Sequence, residues 1–406
     1  MLDDLLVLDL TRVLAGPYCT LLFSDLGARV VKVESPSGDD TRRWGPPYPG
    51  GESGYYLSVN RGKESVVVDL KDERGAAVVR GLARKADVIV ENFKVGDLER
   101  YGLDHASVAA TNPRVVYVSI TGFGQDGPRA KEPGYDAAMQ AQSGLLAMTG
   151  EPDGPPVKLG VAWIDVLTGL HAATGALAAL HRRERTGEGA RLDVSLFDVA
   201  LASLVNQAQN ALLTGEVPPR LGSAHPTIVP YQSFEAADGG VVVAVGNDGQ
   251  FARLCAVLGT GELAADPRFA TNDGRVANRS ALVPLLADVI RQRRAAELLA
   301  ACRSAGVPAT PVTTLPDALA DEQATARGMV VEGAHPTIGA LPMVASPLWH
   351  AQGPDGRSLG LAPAPGAAPV PPLLAQHTRA VLERELGLSA AEIDALAAAG
   401  VVRVLG

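Results

Sequence analysis

The sequence predicts an α/β protein organised around a parallel sheet. Three observations carry that expectation. From Leu5 to Thr121, short apolar runs alternate with longer amphipathic segments. The runs are continuously apolar rather than alternating, as strands covered on both faces must be. And 406 residues, with 47% apolar and 20% charged side chains, exceed what one simple core holds, so two domains are expected.

Leu5–Leu10 reads as a buried strand, Pro17–Leu26 as a helix and Arg29–Glu34 as a second strand. Ser65–Leu70 is the next strand, followed by a helix from Asp72 to Lys85. Asp87–Asn92 and Arg114–Thr121 are two more, with a helical stretch over Asp97–Ala110 between them. Such alternation places ligands at the carboxyl ends of the strands. Two helices follow, Tyr135–Ala147 and Leu167–Arg185. Gly187 and Gly189 stop the second, and Arg182, Arg183 and Arg185 complement its last turn. Arg191–Leu196 is a further strand, so the first domain is taken as residues 1–213.

A polar linker, Thr214–Pro226, changes the character of the chain. A smaller unit is expected over 228–330, with a strand at Gly239–Val245, a helix at Gly249–Leu258 and Arg- and Ala-rich helices between Val276 and Ser304. Residues 331–406 are expected to return to the first domain. Within them Gly353–Pro372 reads as extended coil, and Thr378–Leu386 and Ala390–Ala399 as a closing helical pair capped by Ser389.

A net charge of −9, with no Lys/Arg-rich run, argues against a nucleic-acid partner. Cys19, Cys255 and Cys302 lack metal or redox spacing and read as reduced thiols. An acidic start without a signal-peptide pattern, and no apolar run of membrane-spanning length, point to a cytoplasmic protein without membrane contact. No histidines share a metal-binding spacing, so no metal is expected. No G-x-S-x-G elbow is present.

Asp165 is the residue that points to chemistry. It closes a short apolar strand, Val161–Ile164, and opens a helix of small residues. A carboxylate at the positive end of a helix among Trp163, Ile164, Val166 and Leu167 is either a cap or a nucleophile stripped of hydration. Gly122–Gly127 matches G-x-G-x-x-G, but Pro128 and Pro133 intervene before the next helix, so a dinucleotide site lacks its context. The glycines instead let backbone approach a ligand or the next domain. The first strand–helix turn, Thr11–Pro17, is either an ordinary helix start or a seat for an adenine-containing ligand. Lys71, Arg42, Arg43, Lys94 and Arg100 converge on one sheet edge if the topology is parallel, which suits a polyanion.

Together Val7-Leu8-Asp9 with Ala15-Gly16-Pro17, Val31-Lys32-Val33-Glu34, Asp40-Thr41-Arg42, Val90-Glu91-Asn92-Phe93, Thr121-Gly122-Phe123-Gly124 and Asp165-Val166-Leu167-Thr168-Gly169 resemble the family III CoA-transferases. That family includes formyl-CoA, carnitine and bile-acid CoA-transferases and the α-methylacyl-CoA racemases. The resemblance runs from Val7 to the carboxyl terminus. It implies a Rossmann-like large domain made from both chain ends, a smaller inserted α/β domain and an interlocked homodimer. It implies coenzyme A as a substrate, carried from an acyl-CoA to a free carboxylic acid, with no permanently bound cofactor. Asp165 would be the covalent carboxylate. Leu14, Ala15, Lys71, Asn92, Phe93 and Arg100 match positions that contact CoA. Tyr135 and Asp136 match positions beside the carboxylate, and Trp44 one that lines the acyl pocket. Ser35 and Leu14 depart from residues that some members use against CoA. Racemisation is the alternative within the fold, but Tyr135 stands where racemases carry a histidine. A phenol with a pKa of about 10 is a poor proton exchanger at neutral pH. A CoA-binding protein without catalysis would lack the carboxylate.

Overall fold

A computed structural model describes residues 1–405. The chain forms two compact units. The larger comprises Met1–Ser143, Leu159–Leu213 and the chain from Glu322 onward; the smaller comprises Gly144–Lys158 and Thr214–Asp321.

In the larger unit the strands are β1 (Leu6–Asp9), β2 (Arg29–Glu34), β3 (Lys63–Val68), β4 (Val88–Glu91), β5 (Val116–Thr121) and β6 (Ala190–Ser195). The smaller unit holds β7 (Tyr231–Ala236), β8 (Gly239–Ala244) and β9 (Ala309–Pro311) as an antiparallel sheet. The hairpin β10 (Val330–His335) and β11 (Gly339–Val344) and the terminal β12 (Val402–Arg403) belong to the larger unit again.

The main sheet runs β12-β3-β2-β1-β4-β5-β6 and is parallel except for β12, which pairs antiparallel with β3. Its interior strands are mostly apolar because helices cover both faces, and the buried polar exceptions include Asp9, Lys32 and Glu91. Val7, Val30, Val66, Val67, Val88, Ile89, Val90, Val116 and Val118 are almost wholly buried. Helix α1, Ala15–Asp25, lies against a long helix, Trp163–Thr186. The middle of that long helix buries small residues, Gly169, Ala172, Ala173 and Ala176, so two backbones approach closely. A Cβ on Gly169 would lie 2.7 Å from the Ala15 carbonyl oxygen.

Several expectations are corrected. Val161–Ile164 is not a strand: the long helix begins at Trp163, which puts Asp165 inside its first turn. By length and composition this helix could cross a membrane, contrary to the sequence expectation. Here its apolar face covers the sheet and α1. The expected helix at Tyr135–Ala147 is two, Asp136–Gln142 and Leu145–Met148, split where Gly144 turns left-handed. Residues 97–110 hold only a short turn, Glu99–Tyr101, and a brief helix, His105–Ala109. Strand β7 and the helices Leu196–Ser203 and Val205–Thr214 were not anticipated. The closing helices, Thr378–Leu386 and Ala390–Ala398, lie where expected, and Ser389 forms a reciprocal capping box with Glu392.

Candidate active site

The order of the main sheet reverses between β1 and β4, so the loops leaving their carboxyl ends diverge and open a crevice. A cavity of about 220 Å³ lies there. Leu14, Ala15, Trp44, Asn92, Phe93, Tyr135 and Asp165 all line it. The close approach at Gly169 brings this about: it sets the first turn of α1 beside the first turn of the long helix. The α1 amide groups of Ala15 and Gly16 precede any intrahelical acceptor, and Leu14 provides no side-chain cap. Donors are therefore available beside Asp165.

Asp165 does not cap its own helix. The cap comes from Asp136, whose Oδ1 accepts from the Ile164 amide at 2.7 Å and from the Asp165 amide at 3.3 Å. The other Asp136 oxygen accepts from Gln140 Nε2 at 2.6 Å, and Gln140 Oε1 in turn accepts from the Leu159 amide at 2.9 Å. This buried relay uses both oxygens of Asp136. The Asp165 carboxylate, among the described residues, accepts no hydrogen bond and faces the cavity. Burial, with the Asp136 charge beside it, raises its pKa to about 7. The first-turn amides of the long helix therefore do not stabilise the ionised form of Asp165. Those amides serve Asp136.

Tyr55 is a neighbour the sequence did not single out. It meets Trp44 edge-on with ring centroids 5.4 Å apart. Burial and the charges of Asp165 and Asp136 push its phenol up to about 12. Arg12, Lys94 and Lys131 add positive charge to the lining. Arg12 is loosely paired with Asp40 at 3.7 Å, while Lys94 and Lys131 form no ion pair among the described residues. Their positions on loops after β1, β4 and β5 were legible once the topology was known.

Lys71 and Arg100 are not brought to the cavity. Lys71 is exposed beyond β3, and the Arg100 guanidinium stacks on Tyr101 at 4.7 Å. Asp136 lies behind the lining. Arg42 and Arg43 do not converge on it either. Arg42 is enclosed by Glu34, Glu52 and Tyr56, and Arg43 binds Asp40 and the Ser37 carbonyl. Of the 122–127 glycines, Gly122 has a packing role: a Cβ on Gly134 would fall 2.3 Å from the Gly122 Cα, so the chain entering Tyr135 passes directly over that residue. The lining contains no histidine.

The model of CoA-transferase family III matches residues 2–368. The succinate–glutarate CoA-transferase of Agrobacterium fabrum is 46% identical over 360 residues, covering 87% of this chain and 90% of its own. The mouse succinyl-CoA:glutarate CoA-transferase is 42% identical over 99% of this chain and 90% of its own. The acetyl-CoA:oxalate CoA-transferase of Acetobacter aceti is 45% identical over 81% and 85%, respectively. Among solved structures, a CAIB/BAIF family protein from Brucella suis aligns with a TM-score of 0.82 at 45% identity, covering 94% of this chain and 98% of that one.

Proposed function

As the chain belongs to CoA-transferase family III and is a CoA-transferase using CoA as a substrate, we propose that it moves CoA between dicarboxylic acids through covalent intermediates on Asp165. One observation carries the reading: a half-buried carboxylate, relieved of capping by Asp136, lies unbonded in the cavity at the crevice of the sheet. The relatives named for succinate, glutarate and oxalate support the substrate class.

An Asp165 oxygen attacks the donor thioester carbonyl, and the C–S bond breaks to give an acyl–aspartyl anhydride and CoA thiolate. The thiolate attacks Asp165 Cγ and releases the donor acid, leaving an aspartyl-CoA thioester. The acceptor carboxylate attacks the same carbon and expels the thiolate. The thiolate then attacks the acceptor's carbonyl and frees Asp165. Each addition places negative charge on a carbonyl oxygen, which the amides opening α1 are placed to stabilise. Arg12, Lys94 and Lys131 offset the charge of phosphates and carboxylates entering an acidic protein. Racemisation fits less well, because the lining offers Tyr135 and no histidine as an exchanging base.

The homodimer implied by the family resemblance is part of this reading. The helix Val205–Thr214 buries none of its residues in a single chain, and Val205, Leu212 and Leu213 are largely exposed. A second copy is the occupant we infer for that face.

Asp165→Ala is expected to abolish transfer from succinyl-CoA to glutarate while the protein still binds CoA. Hydroxylamine added with succinyl-CoA alone is expected to leave a hydroxamate on residue 165, read by peptide mass spectrometry. Retained turnover in the variant, or an unmodified peptide, would remove the mechanism.

A further inference from the structure

The turn from β1 into α1 is held more firmly than a helix lead-in requires. Val13 has φ 71°, a left-handed backbone that a β-branched residue adopts only under constraint. Two independent clamps supply the constraint. On the outer side, both ends of the Asn92 carboxamide engage Arg12: Oδ1 accepts from the Arg12 amide at 3.1 Å, and Nδ2 donates to the Arg12 carbonyl at 2.8 Å. This bridges the loops after β1 and β4, the pair whose divergence opens the cavity. On the inner side lies a buried ion pair, with Lys32 Nζ 2.9 Å from Asp39 Oδ2. Lys32 also donates to the Thr11 carbonyl at 2.8 Å, and Asp39 Oδ1 accepts from the Val13 amide at 3.3 Å. Thr11, Arg12 and Val13 are thus each tied by backbone polar atoms, and Arg12 and Val13 continue into Leu14 and Ala15 along the cavity wall.

We infer that Asn92 and the Lys32–Asp39 pair are positioning residues that hold Val13 left-handed, so that the amides opening α1 face Asp165. Asn92 on this view acts through Arg12, which takes one donor and one acceptor of its carboxamide. Without the clamps Val13 relaxes to an ordinary backbone region and rotates the peptides that follow. The inference rests on the Asp165 reading above.

The test is the kinetics of Asn92→Ala, alone and combined with Val13→Gly, alongside calorimetric binding of free CoA. Asn92→Ala is expected to lower kcat by at least about tenfold while CoA affinity changes by less than about threefold. Adding Val13→Gly is expected to restore most of the loss, since glycine adopts positive φ without strain. Asn92→Asp, which keeps the acceptor for the Arg12 amide and loses the donor, is expected to fall between. It replaces Asn92→Ala, with and without Val13→Gly, should the alanine variant not fold. Weakened CoA binding with kcat intact would make Asn92 a ligand contact and overturn the inference. A kcat loss that glycine does not recover would overturn it as well. Turnover in a parallel Asp165→Ala sample would instead remove the nucleophile reading, so the two failures are distinguishable.

Discussion

Asp165 holds its proton to about pH 7 because burial strips part of its hydration and Asp136 is negative beside it. Nucleophilic attack needs the ionised form, so kcat/KM is expected to rise as pH increases through about 7. Asp136→Asn removes one of the two causes and should move that acid limb to lower pH; an unmoved limb would assign it to another group. Stability carries the opposite sign. A carboxyl whose folded pKa lies above its unfolded value binds more protons in the folded state, between 3.8 and about 7. Its contribution is therefore present below that window and lost as pH rises through it. Asp165→Asn should accordingly raise Tm relative to the parent at pH 8, with the gain vanishing near pH 4. Equal gains at both pH values would contradict the assignment. The residue type at 165 was legible in the sequence, but its electrostatic setting was not. Its helix cap comes from a side chain 29 positions earlier, a partnership no local pattern encodes.

At the scale of elements, the site depends on how closely α1 and the long helix approach. Gly169→Ala would bring a methyl against the Ala15 carbonyl oxygen and the Cys19 amide, at 2.7 and 3.2 Å. Backbone atoms cannot step aside, so the helices must separate. A loss of about 1–3 kcal/mol in urea unfolding is expected, together with a fall in kcat. Full stability and activity would show that the contact relaxes without moving the site. The elements themselves were largely visible beforehand. Arg29–Glu34 matches residue for residue because its Val-rich run is bounded by a glycine turn and a polar segment. Val161–Ile164 misled because a short apolar run suits a strand and a buried helix turn alike, and only Asp136 decides between them. The two-residue β12 was too short to carry any periodicity.

For the whole molecule, the proposed second copy is testable through the helix that buries nothing. Sedimentation equilibrium is expected to give a dimer mass for the parent and a smaller mass for Leu212→Glu/Leu213→Glu; a monomeric parent would dismiss the dimer. The acidic balance of the chain coexists with cations gathered at one crevice, so overall charge says little about which ions that crevice attracts. The pairing of β12 with β3 bears on biogenesis. Val402 lies opposite Val68, and the entire smaller unit is translated between them. While the nascent polypeptide is still emerging from the ribosome, the β3 margin of the sheet is left open, a sticky template for other chains. It is sealed only when synthesis has passed Arg403 and β12 pairs with β3.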